Sequence, residues 1–150
     1  MRGIIFIFMS AFLLSACGGT NKHQEAEDLL QEAQSLYEQG QYTAAKDCII
    51  SIRQNHPNAI DARKKALKLG WDIELKVAQD ELAITDSLLQ LVQQDYDRQQ
   101  AKVEKDKAEL RATPEELTML TKTRMKRDSL RTQCEVLGTK IRYIHKKQKE

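Results

Sequence analysis

What this chain of 150 residues has little of narrows it first. Aromatic residues make up 5% of it, with one Trp, so little is available to wall a deep ligand pocket. There is no Gly-rich phosphate loop, no G-x-S-x-G and no HExxH. The histidines, His23, His56 and His145, stand far apart, and none belongs to a metal-ligand spacing. No apolar run approaches the ~18 residues that cross a bilayer. Without convergent groups for acid–base, nucleophilic or metal chemistry, an enzyme is not expected, nor any catalytic residue, metal or cofactor.

What is present is charge and helical periodicity. Charged residues make up 31%, and the two prolines leave long stretches unbroken. Such a composition describes an all-α, elongated chain rather than a large globule. From Trp71 to Arg111 there is no Pro or Gly. Leu75, Leu82, Leu89, Tyr96, Val103 and Leu110 stand seven apart, with Ala78, Thr85 and Val92 between them, until Gln99 and Asp106 spoil the pattern. A seven-residue apolar repeat keeps one seam on a helix that winds round a partner. At ~1.5 Å per residue the stretch reaches about 60 Å, too long to bury its seam in a small globule.

The partner follows directly. Arg111 to Glu115 (RATPE) breaks the helix, and Thr113, Pro114 and Glu116 form an N-cap, an N1 proline and a capping box. The last helix is predicted from Pro114 to about Lys147, with the stripe Leu117, Leu120, Leu130, Cys134, Leu137, Ile141 and Ile144. Matched helices joined by a short turn pack antiparallel. The expected register sets Leu110 against Leu117, Tyr96 against Leu130 or Arg131, and Leu82 near Ile144. Gln99 and Asp106 would then meet Arg124 and Arg127 in a polar layer near the turn.

At the other end, Met1 to Cys17 is a targeting segment. Arg2 precedes an apolar run from Ile4 to Leu14, then Ser15-Ala16-Cys17. The length suits a signal peptide's apolar core. The ending LSAC resembles the lipobox of bacterial lipoproteins. That resemblance implies acylation of Cys17, the lipidation site, with palmitate-like chains, and removal of residues 1–16. Two or three acyl chains at ~0.8 kcal/mol per buried CH₂ would anchor the protein for practical purposes. A plain secretory peptide with an incidental Cys, or an uncleaved anchor, are the other readings. Residues 17–24 read as a flexible tether. Gly18 is not the Asp that retains many such lipoproteins at the inner membrane, which implies the outer membrane, and no acidic surface-export cluster follows Cys17, so the periplasmic face is expected. Cys48 and Cys134 could pair in an oxidising compartment, but both lie on apolar helix faces, so buried free thiols are expected.

Residues 25–70 form the second unit. AEDLLQEAQSLYEQGQYTAAKDCIISIRQNHPNA, from Ala26 to Ala59, carries Ala33, Tyr37, Gly40, Ala45 and Pro57 at the positions that mark a tetratricopeptide repeat, which it resembles. Leu29, Leu30, Ala33, Leu36 and Tyr37 form one helical stripe, and Ala44, Ala45, Cys48, Ile49 and Ile52 a second. Gly40 is a helix stop. Glu32 departs from the family's leucine, which would weaken the inner packing. A lone repeat cannot bury its faces. The helix from Asn58, with Ala62, Ala66, Leu67 and Leu69, starts like a second repeat but runs on through Gly70 and Trp71, so it is expected to cap the first. Trp71 would plug the junction, and Gly70 would mark a bend or tight packing.

Residues 111–150 hold 11 Lys/Arg against 5 Asp/Glu, and residues 21–110 hold 12 against 17. A basic last helix suggests anionic lipid or a cell-wall polymer as partner. Alternatively these charges solvate an exposed helix and pair with its acidic neighbour. Nucleic acid is not expected outside the cytoplasm. Two functions fit. One is a lipid-anchored envelope adaptor binding a protein partner through Glu27, Leu30, Gln34, Tyr37 and Glu38, the ligand-facing positions that the repeat resemblance implies. The other is a structural spacer between outer membrane and cell wall, non-covalent because the chain ends Lys149-Glu150 rather than in Lys.

Overall fold

The computed structural model describes residues 18–150; the signal peptide and Cys17 lie outside the described residues. It is all-α. The helices are α1 (Gly18–Glu38), α2 (Tyr42–Asn55), α3 (Ile60–Ala108) and α4 (Pro114–Lys147). Gly18 to Gln24 is not a tether but the opening of α1. His56, 7% exposed in the turn before α3, explains part of this: its Nδ1–H donates to the Lys22 carbonyl at 3.0 Å and ties that first stretch down.

The α1–α2 hairpin is built on its small residues. Ala26, Ala33 and Ala45 are each 0% exposed, and against them lie Leu30 and Ile52. Close helix approach there needs side chains no larger than a methyl group. The turn is a Schellman motif: Gly40 N–H donates to the Tyr37 carbonyl and Gln41 N–H to the Leu36 carbonyl, with Gly40 at φ 74°. Glu32 is exposed, so its departure from leucine leaves the packing intact. The base of α3 closes the hairpin, with Ala62, Ala66, Leu69 and Ile73 in the same core.

From there α3 continues as one helix of 49 residues, ~75 Å long. Gly70 lies within the unbroken helix and makes no tight contact: a Cβ there would meet only Ile49 Cδ1, at 3.9 Å. Residues 75, 78, 82, 85, 89, 92, 96, 99, 103 and 106 are all wholly or partly buried, while most of their neighbours are exposed, so the heptad seam continues through Gln99 and Asp106. α4 lies antiparallel along it. Thr113 Oγ1 accepts from Glu116 N–H and Glu116 Oε2 accepts from Thr113 N–H, the expected capping box.

Near the turn the register differs from the sequence expectation by about one helical turn, and toward the base by two or more. Arg127 stacks over the Tyr96 ring at 4.2 Å, and Thr123 donates to Gln99 at 3.0 Å. The cause is the turn. Leu110 has left the helix at φ 56° and is 96% exposed, so the loop bends around residue 110 rather than 113. Leu117 is therefore off the seam, and Leu82 lies level with Thr132–Leu137 rather than with Ile144, which is buried near the start of the coil. Thr123, not Arg124, enters the polar layer; Arg124 points to solvent. Asp106 is satisfied within the turn instead, by Arg111 at 3.6 Å and Lys102 at 3.9 Å.

Candidate partner-binding surface

The residues expected to face a ligand do not form one open surface. Leu30 is 3% exposed, packed in the core beneath α3, so it is unavailable to a partner. The reason is that α3 covers the face that a following repeat would leave open. Glu27 is paired with Lys65 of α3 at 3.2 Å. Tyr37 is half-buried against Tyr42, ring centroids 5.9 Å apart. Gln34 and Glu38 are exposed.

The open surface lies on the opposite side, between α2 and α3. Its floor is apolar: Ile50 is 47% exposed, Leu67 49% and Ile60 61%, with half-buried Trp71 at the upper end. On α3 these apolar residues stand at 60, 67 and 71, one helical stripe, and Ile50 of α2 faces it. Sequence reading misses this second stripe because it groups Leu67 with Ala62, Ala66 and Leu69, and assigns Ile50 to neither face. The signal was there: Ile60, Leu67 and Trp71 cannot share a face with Ala62, Ala66, Leu69 and Ile73. Lys46, Arg53, Arg63 and Lys64 border the groove. The part beside Trp71 has a volume of about 250 Å³ and is open to solvent. That is below the ~300–1,000 Å³ of small-molecule pockets, and suits side chains of a macromolecule better than a buried ligand.

Trp71 marks where the parts of the fold meet. Tyr143 of α4 packs edge-on against it at 6.2 Å. One turn on, Glu74 accepts from Lys46 of α2 and from Lys140 of α4, the latter at 2.9 Å. These two hydrogen bonds, that from Lys46 first, hold the Glu74 carboxyl below the usual carboxylate range. Gln148 donates to Asp72 at 2.7 Å and fixes the end of α4 at the same level. Beyond that point α3 has no α4 beside it, which is why its flank from Ile60 to Trp71 stays open.

Cys48 and Cys134 are free, half-buried rather than buried. Burial, then Glu32 and Asp47, push the Cys48 thiol up and keep it protonated. Among the described residues no three His, Cys, Asp or Glu side chains gather as a metal site, and no helix is long and apolar enough to cross a membrane. No protein-family model, curated protein or solved structure matches the chain.

Proposed function

We propose that this protein is a lipid-anchored adaptor of a bacterial cell envelope, held by acylated Cys17 in the outer membrane on its periplasmic side. It binds a protein partner through helical surfaces and performs no catalysis. One observation carries the reading: the cation-rimmed apolar groove between α2 and α3, left open by the packing of every neighbouring element. Exposed leucine and isoleucine side chains lining a cleft are the usual mark of a protein contact. The first helix is held to the base of the groove's own element, Lys22 being tied to His56 just before α3.

The test is recovery of partners from detergent-solubilised envelopes, with the native chain and with Leu67→Glu. A discrete protein recovered with the native chain and lost with the variant is the expected result. The spacer reading draws on a different observation, the hairpin that carries Leu110 to the far end of a ~75 Å helix. Recovery with isolated cell-wall sacculi, unchanged by Leu67→Glu, would favour the spacer and overturn the adaptor.

A further inference from the structure

We infer that the α2–α3 groove takes an amphipathic helix with acidic flanks, about three turns long; this rests on the adaptor reading and names its partner's chemistry. Length comes first. The open flank of α3 runs from Ile60 to Trp71, ~17 Å at ~1.5 Å per residue, which a helix of ~11–12 residues would match. Shape comes second. A trough between two helices with apolar residues at helical spacing accepts another helix's i, i+3/i+4, i+7 edge, with Leu67 meeting its central residues and Trp71 one end. No strand exists among the described residues whose edge could pair with an extended peptide instead.

Charge decides the class. Among the described residues the only carboxylate lining the groove, Glu74, is already bridged by Lys46 and Lys140. Arg53 and Lys64 have no carboxylate partner among the described residues, and Arg63 donates only to the Pro57 carbonyl, at 3.0 Å. Three uncompensated cations around an apolar floor favour an acidic partner and repel a basic one. Glu27, by contrast, is neutralised by Lys65 on the other side of α3 and offers the groove no charge.

Trp71 is the chain's one tryptophan and lines the groove, so its emission reports occupancy directly. The full-length chain in non-ionic detergent is titrated with a synthetic 16-residue helical peptide, leucine on one edge and glutamate on both flanks. A second peptide has lysine for glutamate. The expected result is a saturable blue shift with the acidic peptide alone, weakened about tenfold by Arg53→Glu with Lys64→Glu, both exposed positions whose change leaves the helices formed by circular dichroism. Equal response to both peptides, or no effect of the charge reversals, would overturn the acidic-helix assignment. A response to phosphatidylglycerol vesicles but to neither peptide would overturn it too, making the groove a membrane contact. Failure of the peptides while Leu67→Glu still releases a protein from the envelope extract would refute this inference alone; failure of both experiments would refute the adaptor with it.

Discussion

Gly40 and Leu110 occupy the same place in two turns of the same kind. In each, the residue after the helix end takes positive φ, 74° for Gly40 and 56° for Leu110, and the flanking N–H groups donate back to the last helical carbonyls. Glycine adopts that conformation without steric cost; for leucine it costs ~1–2 kcal/mol. Gly40→Val should therefore destabilise the protein by ~1–2 kcal/mol in urea unfolding, although a side chain would meet nothing within 4 Å. Leu110→Gly should do the reverse, gaining up to ~1 kcal/mol after the extra chain entropy of glycine is subtracted. Gly70 is different again, helical with room for a methyl group. Gly70→Ala should raise stability by about 1 kcal/mol. The sequence made the stop at Gly40 legible, since Gly follows a completed stripe. It hid the turn at Leu110, because a leucine seven residues after Val103 extends the heptad pattern and nothing local marks its backbone as left-handed.

At the scale of elements, periodicity carried far. The two stripes of the α1–α2 hairpin, the cap by α3 and the start of α4 at Pro114 all stand where the spacing put them. Thr113→Ala should cost about 1 kcal/mol by removing the side-chain acceptor of the capping box. What periodicity could not supply was register, since a heptad seam is equally content one turn along. Polar side chains fix it: Tyr96 with Arg127, Gln99 with Thr123 and Lys102 with Glu116. The candidate surface was the least legible part. Leu30 reads as exposed only if α3 leaves α1 open, and that is a tertiary fact. The junction of α2, α3 and α4 should be sensitive to acid. Glu74 titrates below its usual range when folded, so its contribution is fully present above about pH 4.3 and is lost as pH falls through the folded value. Glu74→Gln should lower stability by about 1 kcal/mol at pH 7 and flatten the acid side of a stability-against-pH curve. An unchanged acid slope would mean that the two lysines do not hold it in solution.

At the scale of the molecule, a small packed base carries a long arm. The base contains the α1–α2 hairpin, the start of α3 and the groove; the arm is the α3–α4 hairpin, ending at Leu110. Compact packing of a 150-residue chain gives a radius of gyration of about 15 Å. A ~75 Å helix with its partner should bring the small-angle scattering value above about 20 Å. The junction, with Glu74 bridged from both sides and Trp71 against Tyr143, exists only if α4 returns along α3 of the same chain. A short turn delivers it there at high effective concentration, whereas a straight rod would have to find its seam on a second molecule. Cysteines placed at Gln99 and Thr123, with Cys17, Cys48 and Cys134 replaced by alanine, put that to one measurement. A short bismaleimide added at high dilution should link the two within one chain almost completely, read as a cross-linked monomer by intact mass. Cross-linked dimers with no linked monomer would contradict the hairpin.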